Sequence, residues 1–306
     1  MKPEESAGAA PWSKLSLGTV VLAVAVHSLW GGNAVAIKLS LEAFPPMWTA
    51  FLRFSIAIVC VALWAGFRGI PMRPKRSEWW WLVLLGVFFS IQIGLMNIGF
   101  EHTSGSIGSI LMATNPIFAA LWAHFLVAGD RLTRQRIIGL FVAFLGAAVV
   151  ILQSGHIDGA TAVGVGSGLV FLSAALLGCR LAYTGRLLQR MDEVRVVLWQ
   201  MVISVPVFGV AALMSENIVW ERVGLAPIAG IVYQGLVVAG LGFLLLTYLM
   251  KRYSTSVITS FNFVSPISGV LLSVLLLGDK ITLHVLAGVA LVGTGLYLVA
   301  RHQASP

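Results

Sequence analysis

Ten apolar runs, each about as long as a bilayer is thick, leave this chain few ways to fold. They cover residues 16–38, 46–67, 79–100, 104–127, 134–152, 162–185, 195–214, 224–249, 255–277 and 282–300. A spanning helix needs roughly 20 mostly apolar residues. Lipid offers no partner to a free backbone N–H or C=O, so each run must satisfy its own groups as a helix. Composition agrees: 58% of the residues are hydrophobic and 10% charged, against about 25% charged in a soluble domain. The fold class expected is an all-α integral membrane protein of ten transmembrane helices. A net charge of +8 would fit nucleic acid if the basic residues formed one patch. They sit instead in short clusters between apolar runs, so no nucleic-acid partner is expected. Cys60 and Cys179 lie inside apolar runs and read as small buried hydrophobes. The polar, acidic start, with Glu4 and Glu5, does not resemble a cleavable signal peptide.

The chain also repeats itself. Asn115-Pro116 is followed by Gly129-Asp130-Arg131-Leu132-Thr133, then Gly139 and Gly146; Ser265-Pro266 is followed by Gly278-Asp279-Lys280-Ile281-Thr282, then Gly288 and Gly295. Such duplication fixes architecture before any single element does. The expected organisation is a tail at 1–15, a five-helix repeat at 16–152, a second at 153–300 and a tail at 301–306. Lys and Arg set the orientation. With the N-terminus inside, fifteen fall in cytoplasmic segments and three, Lys38, Arg222 and Lys280, outside. That asymmetry predicts cytoplasmic termini. Five is an odd number, so the two halves must be inverted, with Gly129-Asp130 on the inner side and Gly278-Asp279 on the outer. Inverted repeats around a midplane site are the plan of secondary transporters.

Ten helices in two repeats, each closing on a Pro-containing helix, a Gly-acid turn with Thr and a Gly-x6-Gly helix, resemble the drug/metabolite transporter superfamily, EamA type. Trp30-Gly31-Gly32-Asn33 and Arg53 belong to the same resemblance, which covers nearly the whole chain. That family usually carries Glu where this chain has Asp130 and Asp279. Within it, the chain looks most like the YddG-type exporters of aromatic amino acids. The resemblance implies a basket around a central cavity, lined mainly by the first, third, fourth, sixth, eighth and ninth helices, with the fifth and tenth peripheral.

All twelve acidic residues fall in loops, tails or helix ends. Intramembrane ionisable groups mark proton and cation pathways, so a cation antiporter with a buried carboxylate is not expected. No phosphate-cradling Gly-x4-Gly-Lys-Ser/Thr occurs; no catalytic residue, metal ligand or cofactor is expected. The polar residues within the spans are mostly amides, which offer both donors and acceptors. Asn33, Gln92, Asn97, Asn115, Gln234 and Asn262 are candidates for substrate contact, with Met96 and Ser265 beside them. For each, interhelical bonding of about 0.6 kcal/mol is the competing role. His27, Trp30, Gly31, Ala34 and Lys38 share one face of the first helix. Trp30 would stack on an aromatic substrate, with Gly31 making room. His27 would either pack or act as a protonation switch. Gln234, Val238, Leu241, Leu245 and Tyr248 trace a second face, giving Tyr248 as another aromatic wall. Pro116 and Pro266 each predict a kink that frees a carbonyl four residues back, at Met112 and Asn262. Arg180 has three open fates: a substrate carboxylate, a helix terminus, or, as favoured here, snorkelling to the cytoplasmic face with Arg186. Arg53 is expected to neutralise carbonyls or gate, without touching substrate. Gly164 and Gly168 form a small-residue face for helix packing.

The expected function is export of small neutral metabolites, above all aromatic and other amino acids, by alternating access. Lacking a buried carboxylate, it would run as a uniporter or with weak coupling through a histidine. Transport of nucleosides or sugars, and an intramembrane enzyme, are the alternatives. The expected partners are a small amino acid-like molecule and the bilayer, with the protein a monomer or weak homodimer.

Overall fold

The computed structural model describes residues 16–126, 134–154, 160–253, 258 and 261–301. The first Gly-Asp turn, at 129–133, lies outside the described residues. The chain is helical throughout: α1 (Leu17–Leu41), α2 (Pro46–Phe67), α3 (Trp79–His102), α4 (Gly105–Met112), α5 (Asn115–Leu126), α6 (Arg134–Ser154), α7 (Ala160–Leu188) and α8 (Glu193–Ser215) are followed by α9 (Leu225–Val232), a π-helical stretch (Tyr233–Gly242), α10 (Phe243–Arg252), α11 (Val264–Leu277) and α12 (Leu283–Arg301). Six of the spans are single helices long and apolar enough to cross a bilayer, α9 through α10 counting as one. α4 with α5 makes another, α11 continues a span interrupted near Asn262, and α6 and α12 complete ten.

Local chemistry sets the helix starts. Ser16 Oγ accepts from Thr19 N, Ser104 Oγ from Ile107 N, and Asp192 Oδ1 from Val194 N. Each satisfies an N–H that the helix itself cannot. Pro46 opens α2, where its missing N–H is harmless. Two starts are capped from the opposite repeat. The Glu216 carboxylate accepts from Met47 N and Trp48 N, and Asp279 Oδ2 accepts from Ser106 N at 2.8 Å. The second Gly-Asp turn is therefore more than a hairpin. Gly278 holds φ at +71°, the left-handed region glycine favours, and the turn sets Asp279 over the N-terminus of α4.

The packing reads as a pseudo-twofold arrangement. α1 packs on α11 and on the α9 span, while its counterpart α7 packs on α5 and on α3; α2 faces α8, and α6 faces α12. Close backbone approach is built on glycine. A Cβ at Gly99 would lie 2.8 Å from Gly166 O, and one at Gly166 would lie 2.8 Å from Gly99 O. Between α6 and α12, a Cβ at Gly146 would lie 3.0 Å from Val292 N, and one at Gly295 would lie 2.7 Å from Ala143 N. The Gly164/Gly168 face does not pack in this way: nothing lies within 4 Å of a Cβ built at either position. The glycine that seats α7 on α3 is Gly166, on the other side of the helix.

Candidate functional site

One cavity sits in the middle of the bundle. Its wall takes Trp30, Gly31, Asn33 and Ala34 from α1, Arg53 from α2, and Gln92, Ile93, Met96 and Phe100 from α3. Ser109, Met112, Ala113 and Asn115 come from the α4–α5 break, Leu177 and Arg180 from α7, Val238 and Phe243 from the α9 span, and Asn262 and Ser265 from the start of α11. Both repeats contribute. The cavity volume is about 80 Å³.

The wall is shaped by two interruptions. α4 ends at Met112 and α5 begins at Asn115, with Ala113 and Thr114 in a turn between them. Pro116 is the second residue of α5 and Pro266 the third of α11. Each proline thus lies in a first turn, where no helix bond is lost. The kink foreseen from sequence is at Pro116 a break. Nor is the Met112 carbonyl free: Asn115 Nδ2 donates to it at 2.8 Å. Asn262 holds the other interruption. Its Oδ1 accepts from Ser265 Oγ at 2.9 Å and lies 3.2 Å from His27 Nδ1, while Nδ2 reaches Ala113 O. Ser265 Oγ also lies 2.8 Å from His27 O. One amide therefore ties α1, the α4–α5 break and α11 together beside the cavity.

Of the residues expected from sequence, Trp30, Asn33, Gln92, Met96, Asn115, Asn262 and Ser265 reach the cavity wall. Three do not. Asn97 donates to Pro46 O at 2.9 Å and holds α3 to the start of α2. Gln234 stands behind Arg53, donating to Ala36 O and Ser40 Oγ. Tyr248 is 40% exposed on the outer surface, with the Arg252 guanidinium over its ring. The π-helical stretch explains the last displacement. Its i→i+5 bonding takes more residues per turn, so a face extrapolated at α-helical period rotates away: Gln234 and Val238 are buried, whereas Leu241 is 49% exposed. His27 lies behind the wall, with Nε2 2.9 Å from Ile258 O and its ring edge-on to Trp30. Gly31 makes room chiefly for a helix. A Cβ there would lie 2.7 Å from Ser265 O and 2.8 Å from Gly269 N.

The largest correction concerns the arginines. Arg180 does not snorkel; it is 5% exposed, with Nη1 donating to Gln200 Oε1 at 2.9 Å and its guanidinium over the Phe89 ring. Arg53 is 1% exposed, donates to Gln234 Oε1 at 3.0 Å and lies over Phe54. Both line the cavity. The signal was present in the sequence, because a guanidinium within an apolar run is expensive and marks function by default. Each retains an unpartnered Nε. Trp30 Nε1 is a third such donor, and Asn33 Oδ1 and Gln92 Oε1 are acceptors without partners. Gln92 Nε2 is spent on Ser173 Oγ. Buried polar atoms are nearly always paired; of the ten unpaired buried side-chain atoms among the described residues, these five belong to residues of the cavity wall. Among the described residues no group of His, Cys, Asp and Glu is large enough to hold a metal ion.

Two inverted repeats of membrane helices, meeting around a central cavity, define a secondary-transporter architecture. The pattern described as the EamA-like transporter family matches residues 17–152 and again residues 164–301. The chain belongs to this family, within the drug/metabolite transporter superfamily, and is a multi-pass integral membrane protein. It is 28% identical over 289 residues to a "probable terminal-alkyne amino-acid exporter" of Streptantibioticus cattleyicolor, covering 94% of this chain and 95% of that protein. It is 27% identical to an "uncharacterized transporter" of Archaeoglobus fulgidus, covering 93% and 99%. A "probable amino-acid metabolite efflux pump" of Salmonella typhimurium is 26% identical, covering 90% and 93%. A solved crystal structure superposes with a TM-score of 0.72 at 18% identity, over 94% of this chain and 98% of that one, and shows the same fold.

Proposed function

We propose that this protein exports small amino acid-type metabolites by alternating access. The observation that carries the reading is a wall whose residues keep unpaired polar atoms: donors on Arg53, Arg180 and Trp30, acceptors on Asn33 and Gln92. An α-amino acid presents a carboxylate to the first group and an ammonium to the second. Relatives named as amino-acid exporters support the class. The termini are taken as cytoplasmic, in a bacterial inner membrane, from the asymmetry of Lys and Arg. Substrate enters from the cytoplasm, is enclosed between the repeats, and leaves outside after they rock. Ion pairs stand at one end of the bundle, Glu78–Arg195 and Lys251–Glu193. Carboxylate caps from Glu216 and Asp279 stand at the other. These are the contacts that rocking would open in turn. The cavity's size favours small substrates; an aromatic side chain would need the repeats to separate. Among the described residues no carboxylate lines the wall, and transport is assigned as uniport; the family match supports a carrier and not an enzyme.

Counterflow in proteoliposomes tests this. Labelled amino acid should accumulate transiently in vesicles preloaded with the unlabelled compound, with no proton gradient imposed. Accumulation that appears only under an imposed proton gradient would refute uniport. Its absence for every amino acid tried, with monodisperse protein, would refute the function.

A further inference from the structure

We propose that the central cavity is an anion site whose preferred cargo is a small acid carrying two carboxylates, such as an acidic amino acid, and not a neutral zwitterion. The inference rests on the transporter reading and sharpens its substrate class. It starts from charge. Among the described residues, two guanidiniums line the cavity and no carboxylate does. Each is turned toward neutral partners only, an amide oxygen and an aromatic face. Neither takes part in an ion pair among the described residues.

A buried ion without a counter-charge is costly, by several kcal/mol each. A neutral zwitterion brings one negative and one positive group, and leaves the cavity as cationic as it found it. A simple dicarboxylate such as succinate cancels both guanidiniums, and an acidic amino acid, with one net negative charge, cancels one. Arginine is suited to this, because its planar fork binds carboxylate oxygens in pairs. The unspent Arg53 Nε and Arg180 Nε are the donors such forks require. Asn33 Oδ1 and Gln92 Oε1 remain to accept from an ammonium, so an amino dicarboxylate brings a fitting group to each of these four atoms.

The test compares isosteres. Aspartate and asparagine differ by one charge and almost nothing in shape. In counterflow at equal concentration, labelled aspartate is expected to move at least tenfold faster than asparagine. The ratio should fall toward one in Arg53→Gln and in Arg180→Gln. Succinate should compete with aspartate in wild-type protein, and Gln92→Leu should weaken aspartate while leaving succinate inhibition unchanged. The wild-type comparison needs no variant to fold. Asparagine moving as fast as aspartate would overturn the inference and leave the transporter reading standing. No counterflow with any amino acid would remove both.

Discussion

Replacing Gly31 by valine puts a side chain where two backbones already touch. A Cβ at this position would sit 2.7 Å from Ser265 O and 2.8 Å from Gly269 N, about 0.7 Å short of ordinary contact. Backbone atoms of a packed helix cannot step aside as a side-chain tip can, so α1 and α11 must separate by about that distance. The contact between Ser265 Oγ and His27 O, now 2.8 Å, would then stretch to the limit of a hydrogen bond. Overpacking costs about 1–3 kcal/mol and the weakened bond about 0.5–1.5 kcal/mol, so the loss is about 2–4 kcal/mol. Thermal unfolding of detergent-solubilised protein, followed by tryptophan fluorescence, should show a fall of several degrees. Counterflow should fall with it, because the same interface carries Asn262 and Ser265 on the cavity wall. The control is Gly168→Ala, where nothing lies within 4 Å and stability should change by no more than about 0.5 kcal/mol. An unchanged melting temperature in Gly31→Val, or an equal fall in both variants, would refute the reasoning.

Asn115→Leu should cost about 1–3 kcal/mol by stranding the Met112 carbonyl in the α4–α5 break, and a thermal shift should read it. Asp279→Ala removes the acceptor for Ser106 N and should lower stability by about 1 kcal/mol, whereas Asp279→Asn should retain most of it. Burial pushes the Glu216 carboxyl above its ordinary range, outweighing the Met47 and Trp48 N–H groups that favour its charged form. An acid raised on folding stabilises most below its unfolded pKa, and that share is lost as pH rises through the folded value. The melting temperature should therefore decline over this window in wild-type protein, and Glu216→Gln should flatten the decline.

How far the residues spoke for themselves varies from site to site. Seven of the ten expected contacts reach the wall, because amides and Trp30 in apolar spans have nowhere else inexpensive to turn. Asn97 and Gln234 obey the same rule but spend themselves on Pro46 O, and on Ala36 O and Ser40 Oγ. Nothing local separates the two outcomes. Tyr248 was misplaced because a ten-residue π-helical stretch changes the period on which its face was drawn. Arg180 was misjudged by distance along the chain: eight residues from the end of α7, it is near enough to snorkel, yet Gln200 on α8 holds it inside.

Hydropathy, charge asymmetry and the duplicated Pro to Gly-Asp spacing determined the class of protein, the number of spans and the inversion of the halves. These follow from lipid as a solvent and from counting, and both act on the chain without reference to its partners in space. Tertiary structure alone decided which polar atoms were used up. A hydrogen bond is a pairing between residues up to 240 positions apart, and the composition of a helix does not say which of its amides finds a partner. That accounting turned two arginines, one expected at the membrane surface and the other as a gate, into the cationic walls of the cavity.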